Sequence, residues 1–353
     1  MSAFISLLNE HFSSLDSKRL TPDMKRAIFS MSRCRTGALG ESKWQCQGCQ
    51  HTDKLPLSCG HRHCPQCQHS TTVQWLERQE AKLLPCSYFM VTFTLPGQLR
   101  SLAAIHPKTL FSLMFTVAAS VLKGFAEHKH DGESGFTLVL HTHNRRRDLH
   151  PHLHAIVPAG FYQAKRRQWH KGSKKYLYPQ IALARVWRAK MLDAIMKDPL
   201  LSLPASLPDK WVVDCRAVGR GLPALKYLSR YLYRGVLPDK DILDINGDQV
   251  TFRYIDSQTN QSTTRSLPTG SFLILILQHV LPKGLQRVRS YGLLHGNAKK
   301  KRHLIGLILL QMSHRMLPLE APPKQEVTRC CPLCGEHLMV CIGVILNKDR
   351  RPK

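Results

Sequence analysis

The sequence lacks any long uninterrupted apolar run. Its longest, FLILIL at residues 272–277, is far shorter than the roughly 20 residues that cross a bilayer and predicts a buried strand. The opening stretch, MSAFISLLNEHFSSLDSKRL, mixes polar and apolar positions and does not have the layout of a signal peptide. We therefore expect a cytoplasmic protein without a membrane partner.

Acidic residues are scarce. The 353 residues include 24 aspartates and glutamates against 51 lysines and arginines, a formal net charge of +27. Such an excess indicates a polyanionic partner, of which nucleic acid is the usual one. The alternative is a surface rich in solvated lysine that serves solubility alone.

The 12 cysteines occur mostly in close pairs within a long chain, which favours reduced thiolates on a metal over a disulfide framework. Two Cys-x-x-Cys pairs lie 14 residues apart, and together they predict one structural Zn²⁺ site at Cys46, Cys49, Cys64 and Cys67. Other residues nearby could replace one ligand or bind a second ion, namely Cys59, His51, His61, His63 and His69.

The sequence disfavours a catalytic zinc site of the nucleobase-deaminase type. That signature needs His-x-Glu followed by Pro-Cys-x-x-Cys, whereas here Pro65 follows Cys64 and no His-x-Glu precedes it. A further Cys-x-x-Cys, Cys331 and Cys334, is half of a similar knuckle, for which Cys330, His337 and Cys341 offer no clear partner set.

Helical and strand patterns interleave without regular βαβ spacing, which predicts an α+β fold around an antiparallel sheet. A helix is expected to begin at Thr21 and Pro22, and GFTLVLHTH and HLHAIV read as an antiparallel hairpin. The predicted regions are a helical N-terminus (1–40), a zinc-binding module (41–85), a catalytic domain (86–240), a strand-rich basic DNA-binding region (241–297) and a basic tail with a Cys-x-x-Cys knuckle (298–353).

The segment HPHLHAIVPAG at residues 150–160 contains alternating histidines. On a strand, His152 and His154 share one face while Leu153 lies on the other. Two imidazoles on one face are a candidate site for a divalent cation such as Mg²⁺ or Mn²⁺. A histidine-rich chain also produces such a pair by chance.

The segment LKYLSRYLYR places Tyr227 and Tyr231 one helical turn apart. A stripe of cations has the same four-residue spacing, with each of the first two directly preceding a tyrosine, at Lys226, Arg230 and Arg234. Like charges at this spacing disfavour an isolated helix, so a bound anion is the natural explanation. In the alternative interpretation the tyrosines are core residues and the cations are solvated.

The segment PKGLQRVRSYG groups Lys283, Arg287 and Arg289 near Tyr291. Cations that neutralise phosphates beside a ring that stacks on a base are typical of single-strand binding. A solvated basic face is the alternative.

A resemblance to a known family rests on several segments and on their order along the chain, namely CRTGALG, SCGHRHCPQCQ, YFMVTFTLPGQL, VLHTH, HPHLHAIVPAG, YLSRYLYR and HVLPKGLQRVRSYGLL. In these segments the chain resembles the two-tyrosine rolling-circle transposases of bacterial insertion sequences, a branch of the HUH endonuclease superfamily. The resemblance implies an antiparallel sheet with a metal on His152 and His154 and a tyrosine helix beside it. It further implies that Tyr227 and Tyr231 are nucleophiles that form 5′-phosphotyrosine links with single-stranded DNA at the element's ends and transfer it to target DNA.

The resemblance leaves the third metal ligand open among His141, His143, His150 and Asp148, and it does not specify an oligomeric state. Tyr233 lies off the face that the two tyrosines share, which favours a structural role. Two other functions stay open at this point. One is a zinc-containing nucleic-acid-binding protein without catalysis, and the other is a replication initiator or relaxase with the same chemistry. We expect the protein to be located in the bacterial cytoplasm and to be associated with the nucleoid when it is bound to DNA.

Overall fold

A computed structural model gives the structure of the chain and describes residues 2–129, 132–233, 236–313 and 329–347. The α-helices of the described residues are α1 (Ala3–His11), α2 (Pro22–Ser32), α3 (Gln68–Glu80), α4 (Arg100–Ile105), α5 (Pro107–Lys129), α6 (Gln180–Lys197), α7 (Leu222–Tyr233), α8 (Thr269–Leu277) and α9 (Lys299–Ser313). The strands are β1 (Gly40–Cys46), β2 (Thr52–Pro56), β3 (Tyr88–Thr94), β4 (Gly135–His143), β5 (Leu149–Pro158), β6 (Gly160–Gln163), β7 (Gln168–Lys171), β8 (Val213–Ala217), β9 (Ile242–Asn246), β10 (Gln249–Ile255), β11 (Ser262–Pro268), β12 (Val288–Gly292) and β13 (Met339–Leu346).

The central sheet has five antiparallel strands in the order β12-β4-β5-β3-β8. The predicted hairpin is confirmed, since β4 and β5 pair directly. Alternation along these strands divides the sheet into two faces. One face packs on α5 and α6, and it takes Leu138, Leu140, Leu153 and Ala155 into the largest core cluster. The α+β class predicted from the sequence is therefore confirmed.

The opposite face of the sheet receives α3 and α7. Val139, Ile156 and Tyr88 from the strands pack there against Trp75 of α3 and Leu228 of α7. The same alternation brings the histidines of β4 and β5 to this face. The helix that carries the tyrosines and the strands that carry the histidines are therefore neighbours.

Helix α5 is the one helix among the described residues that is long and apolar enough to cross a membrane, over Pro107–Glu127, and 56% of that apolar window is buried inside the protein. Its buried side chains, among them Phe111, Met114 and Phe115, belong to the core beside the sheet. Burial against a sheet accounts for the apolar composition of this helix.

The prediction of a buried strand for FLILIL was wrong, because this run lies in helix α8. Phe272, Leu273 and Leu277 are buried in a cluster with α1, α2 and strand β10, while Ile274 is only partly buried. A short run of apolar residues packed on most sides has no periodicity that separates a helix from a strand.

The region 241–297 divides between two sheets. Strands β11, β10 and β9 form a sheet of their own, with α8 packed against it. Strand β12 instead pairs with β4 and forms the edge of the central sheet. The predicted strand-rich region thus contributes one strand to the same sheet as the histidines.

The N-terminal module contains α1, α2, β1 and β2. Helix α2 begins as predicted, with Pro22 in its first turn and the Thr21 hydroxyl accepting a hydrogen bond from the Met24 N–H at 3.2 Å. The C-terminal strand β13 returns to this module and pairs with β1, giving a sheet ordered β13-β1-β2. The predicted tail is therefore joined to the module at the other end of the chain.

Candidate active site and metal centres

Three histidines converge on the face of the central sheet that receives α7. His141 of β4 stands directly opposite His152 of β5, and His154 follows on the same face. The ring centroid of His141 lies 5.2 Å from that of His152 and 4.5 Å from that of His154, and the latter two are 4.9 Å apart. One ligand nitrogen from each lies within 4.8 Å of the others. The geometry therefore groups His141 with the predicted pair.

Of the other residues considered as a third ligand, His150 lies outside the group, with its ring 5.6 Å from that of His152, and His143 and Asp148 are engaged elsewhere. The ring of His143 packs 5.1 Å from that of His279. Asp148 forms a salt bridge with Arg265 at 2.8 Å, and its backbone N–H donates to the side chain of Asn144 at 3.0 Å. Neither residue joins the three-histidine group.

Hydrogen bonds orient two of the three imidazoles. The Nδ1 of His152 lies 2.8 Å from the carbonyl oxygen of His150, and since a carbonyl only accepts, Nδ1 carries the proton. The Nδ1 of His154 lies 2.9 Å from the Thr92 hydroxyl. Both contacts leave Nε2 available as a metal ligand, and partners of this kind usually fix the orientation of ligating histidines.

His141 and His154 are buried and His152 is half-buried, and all three imidazoles are uncharged at neutral pH. Burial lowers the pKa of His152 to about 4, and burial together with neighbouring imidazoles lowers the pKa of His141 and His154 well below the ordinary value. A neutral imidazole is the form that ligates a metal. An all-imidazole set suits Mn²⁺ better than Mg²⁺, which prefers oxygen ligands and keeps several waters.

Tyr227 lies beside this group on helix α7. Its ring centroid is 6.3 Å from that of His154, and 42% of the residue is exposed. The apolar face of the helix, with Leu225 and Leu228, is buried, so Tyr227 is presented to solvent next to the histidines. Tyr231 begins the next turn of α7, and its side chain lies outside the described residues.

The predicted cation stripe on α7 is only partly described. Lys226 is exposed. The side chain of Arg230 and the whole of Arg234 lie outside the described residues, as does the side chain of Tyr233. Their roles remain predictions.

Two clefts meet at Tyr227, and together we call them the site groove. One, of about 620 Å³, is lined on its outer side by Arg100, the turn Arg145–Arg147, Ile255 and Ser257. The other, of about 570 Å³, is lined by Thr92, Thr94, Asp214 and Arg216. Both clefts include Arg145, His150, His152 and Tyr227. The groove therefore continues past the histidines and the tyrosine on both sides.

The arginines that line this groove were not singled out from the sequence as site residues. The signal was the basic turn NRRRD between β4 and β5, which the hairpin places at the edge of the histidine face. Arg145 also donates hydrogen bonds to the Asp256 carbonyl at 3.2 Å and the Asn260 side chain at 3.0 Å. It thereby fixes the turn between β10 and β11 beside the groove.

The basic stretch around β12 does not present the stacking surface that was predicted. The Tyr291 ring stacks on Phe136 with centroids 5.1 Å apart, and the Arg289 guanidinium lies 4.3 Å from the centre of the Phe115 ring. Arg287 donates from Nε to the Leu140 carbonyl at 3.1 Å. Pairing of β12 with β4 draws these side chains towards the sheet. Of the three cations predicted in this stretch, Lys283 is exposed, and Arg287 and Arg289 are half-buried.

The four cysteines predicted to bind one zinc ion belong to two different groups. Cys64 and Cys67 lie with Cys34 and Cys59, whereas Cys46 and Cys49 lie with Cys331 and Cys334. In each group the four sulfurs are within 4.8 Å of one another. The prediction of a single site was wrong because strand β2 lies between the two N-terminal pairs, and each pair meets a partner from elsewhere in the fold.

In each group hydrogen bonds favour the thiolate at one cysteine at least, whereas the pKa values of Cys34 and Cys59 in the first group and of Cys49 in the second are raised. The Cys59 thiol lowers the pKa of Cys64 to about 6, and the backbone N–H groups of His337 and Glu336 lower the pKa of Cys334 to about 6. Cys59 was considered from the sequence as an extra ligand, whereas Cys34 was not, since it stands alone in CRTGALG.

The first of these groups is linked to the central sheet. Between Cys59 and Cys64, the Arg62 guanidinium donates to the carbonyls of Leu281 and Leu285 at 2.8 and 2.6 Å. The His63 Nε2 accepts the backbone N–H of Leu281 at 3.0 Å. This segment leads directly into β12, so the cysteine module contacts the chain that forms the edge of the sheet.

Comparison with known proteins gives the family. The family described as "Putative transposase" matches residues 135–302, and the family described as "Transposase zinc-binding domain" matches residues 7–95. The chain is 30% identical over 359 residues to "Putative transposase y4qJ" of Sinorhizobium fredii, covering 92% of this chain and 90% of the relative. It is 28% identical over 290 residues to the "Transposase for insertion sequence element IS801" of Pseudomonas savastanoi pv. phaseolicola, covering 76% and 69%.

The protein belongs to the IS91-type rolling-circle transposases. As a transposase it binds DNA and acts on it. The zinc-binding family match spans Cys34, Cys59, Cys64 and Cys67, so the predicted structural Zn²⁺ is supported by both the family and the geometry.

Proposed function

We propose that this transposase cuts and rejoins single-stranded DNA at the ends of its element through a 5′-phosphotyrosine intermediate, in the manner of HUH endonucleases. The observation that carries the proposal is the placement of an exposed tyrosine, Tyr227, beside three uncharged imidazoles, His141, His152 and His154, of which the first and last are buried. That arrangement lies where two clefts of a basic groove meet.

The three histidines would hold Mn²⁺ or Mg²⁺, which when bound polarises the scissile phosphate and stabilises the charge that develops on it. The Tyr227 oxygen then forms a bond to phosphorus and gives up its proton. The bond from phosphorus to the 3′ oxygen breaks, and that oxygen leaves as a hydroxyl after taking up a proton. Joining is the reverse reaction with a 3′ hydroxyl of another strand as the nucleophile.

Tyrosine needs assistance, because its ordinary pKa near 10 leaves little phenolate at neutral pH. Arg145 lines both clefts that meet at Tyr227, and Arg216, which is paired with Asp214, lines one of them. These cations would stabilise the negative charge that develops during the reaction. Tyr231 follows Tyr227 by four residues in the sequence, which is about one helical turn. We propose it as the second nucleophile, which allows a second strand transfer before the first link is resolved.

The groove supports a single strand as the substrate. Arg100, Arg145 and Arg146 would neutralise phosphates on one side of Tyr227, and Arg216 would do so on the other. Lys226 and Lys283 are exposed cations that would extend this contact. Such a protein would act in the bacterial cytoplasm on nucleoid DNA, with target DNA as its second partner.

The test uses end-labelled single-stranded DNA that carries the element's termini, with Mn²⁺ or Mg²⁺, read on a denaturing gel. The wild-type protein should give a protein-DNA band that survives denaturation. We expect the band to disappear without metal, in His152→Ala, and in a Tyr227→Phe and Tyr231→Phe double variant. Tyr176→Phe is the matched control, because Tyr176 is 50% exposed and lines neither cleft.

Retardation on a native gel with no covalent band in any sample would overturn the proposal. The protein would then be a zinc-containing DNA-binding protein without this chemistry. Cutting at a plasmid origin but not at element termini would instead indicate a replication initiator or relaxase.

A further inference from the structure

The C-terminal segment 329–347 has few apolar contacts of its own. Strand β13 pairs with β1 along its length, from Gly40 opposite Leu346 to Cys46 opposite Met339. Of the eight residues of β13, only Met339 is buried. Among the described residues, the apolar cluster at this junction has three buried members, Cys46, Cys331 and Met339. Apolar burial is therefore a weak source of stability for this segment.

Four thiols meet where the segment contacts the N-terminal module. The Cys46 sulfur lies 3.8 Å from that of Cys334, and the Cys49 sulfur lies 3.7 Å from that of Cys331. Four sulfurs placed about 2.3 Å from one tetrahedral ion are separated by about 3.8 Å. All four cysteines are free of disulfides. The spacing is that of a zinc ligand set and is far longer than the roughly 2.0 Å of a disulfide bond.

Both cysteine pairs have the turn geometry of zinc knuckles. The backbone N–H groups of Gly48 and Cys49 each point to the Cys46 sulfur at 3.4 Å. In the C-terminal pair, the Gly335 N–H donates to the Cys331 carbonyl at 2.9 Å, and Gly335 has a φ of +72° that favours glycine. The two turns also contact each other closely, since a Cβ on Gly48 would come within 2.5 Å of the His337 ring.

We propose that Cys46, Cys49, Cys331 and Cys334 bind a second structural Zn²⁺, which clasps the C-terminal segment to the N-terminal module. This ion is separate from the one at Cys34, Cys59, Cys64 and Cys67. Two of its ligands lie outside the matched zinc-binding family, which ends at residue 95. Four thiolates complete the tetrahedron, so His337 stays outside the ligand set and packs against the knuckle.

The clasp brings together cysteines that are far apart in the chain, since Cys49 and Cys331 are separated by 282 positions and Cys46 and Cys334 by 288. Its effect is to hold β13 on β1, assisted by the salt bridge between Arg329 and Asp53 at 2.5 Å. The Cys-x-x-Cys near the C-terminus thereby acquires a role. This inference does not depend on the proposed DNA chemistry.

The test is the zinc content of the full-length purified protein, measured by mass spectrometry of the metal, with Co²⁺ substitution as a second readout. Wild-type protein should contain two Zn²⁺ per chain and bind two Co²⁺ with tetrathiolate absorption. A Cys331→Ser, Cys334→Ser variant should bind one of each. Limited proteolysis should then remove the segment 329–347 at least tenfold faster.

The matched control is a Cys330→Ser, Cys341→Ser variant, because both residues are exposed, lie in the same segment and are outside both groups. It should retain two ions and the wild-type rate of proteolysis. One Zn²⁺ in wild-type protein, unchanged in Cys331→Ser, Cys334→Ser, would overturn the proposal. Because Tyr227→Phe should still bind two Zn²⁺, loss of DNA cleavage and loss of the clasp are distinguishable.

Discussion

Thr92 offers a specific test of the histidine centre, because its hydroxyl is hydrogen-bonded to His154. Its hydroxyl lies 2.9 Å from His154 Nδ1 on the neighbouring strand, where Thr92 and His154 face each other. Thr92→Val keeps the shape and the strand preference of the side chain and removes this hydrogen bond. The imidazole would then lose the group that fixes its orientation.

Loss of such an outer hydrogen bond typically costs 10- to 100-fold in metal affinity, or about 1.4–2.7 kcal/mol. We therefore expect the Mn²⁺ dissociation constant of Thr92→Val to rise by about that factor. Thr92→Ser, which keeps the hydroxyl, should restore most of the affinity. Calorimetric or paramagnetic titration of the DNA-free protein with Mn²⁺ measures the effect directly.

Thr94→Val is the control, since Thr94 lies two residues further along the same strand, opposite His152. It should leave Mn²⁺ affinity within about twofold. In the cleavage assay, Thr92→Val should need more Mn²⁺ for half-maximal covalent complex but reach the wild-type level at saturation. Equal Mn²⁺ affinity in Thr92→Val and wild-type protein would refute the assignment of His154 as a ligand oriented by Thr92.

Two further predictions concern cations near the site. In metal-free protein, an Arg145→Ala, Arg146→Ala variant should bind single-stranded DNA more weakly. The slope of log affinity against log salt concentration should fall in magnitude by about 0.7 for each phosphate that is no longer neutralised. Fluorescence anisotropy measures both effects, and Arg166→Ala, at an exposed position, is the control that should bind like the wild-type protein. Burial raises the pKa of Asp148, but hydrogen bonds from Arg265 and Asn144 lower it overall. The salt bridge of Asp148 therefore stabilises the fold at pH values above the unfolded pKa of about 3.9. This stability is lost as the pH falls through the lower pKa of the folded state. Arg265→Ala should therefore unfold more easily in urea at pH 7, by about 1 kcal/mol or less for this partly exposed pair, and this deficit should shrink as the pH falls below the unfolded pKa of about 3.9. A deficit that does not change with pH would contradict the assignment.

Much of the fold could be predicted because it follows from local patterns. The alternation in GFTLVLHTH and HLHAIV is that of strands with one face on α5 and α6. Thr21 and Pro22 provide the local chemistry of a helix start, and α2 begins there. The run FLILIL has no local pattern that distinguishes a helix from a strand, and the helix that it forms was not predicted. Its type is set by the partners around Phe272 and Leu277, which come from α1, α2 and β10.

The candidate site shows the same division. Two residues apart on one strand, His152 and His154 must share a face, so the sequence alone pairs them. His141 comes from the neighbouring strand, and only the register of β4 against β5 selects it over His143. A shift of one residue in that register would turn His141 to the other face. Arg145 and Arg216 are likewise brought into one cleft with Tyr227 only by the folding of the chain.

The cysteines separate what sequence determines from what tertiary structure decides. A Cys-x-x-Cys turn is a local unit, so the sequence by itself determined that Cys46 with Cys49, Cys64 with Cys67, and Cys331 with Cys334 could each present two thiolates to a metal. Which half-sites combine is a non-local matter. It depends on β13 returning to β1 across more than 280 residues and on Cys34 reaching Cys67 from the end of α2. Chain spacing has no information on such contacts, because they are set by the packing of segments that are distant in sequence and close only in the fold.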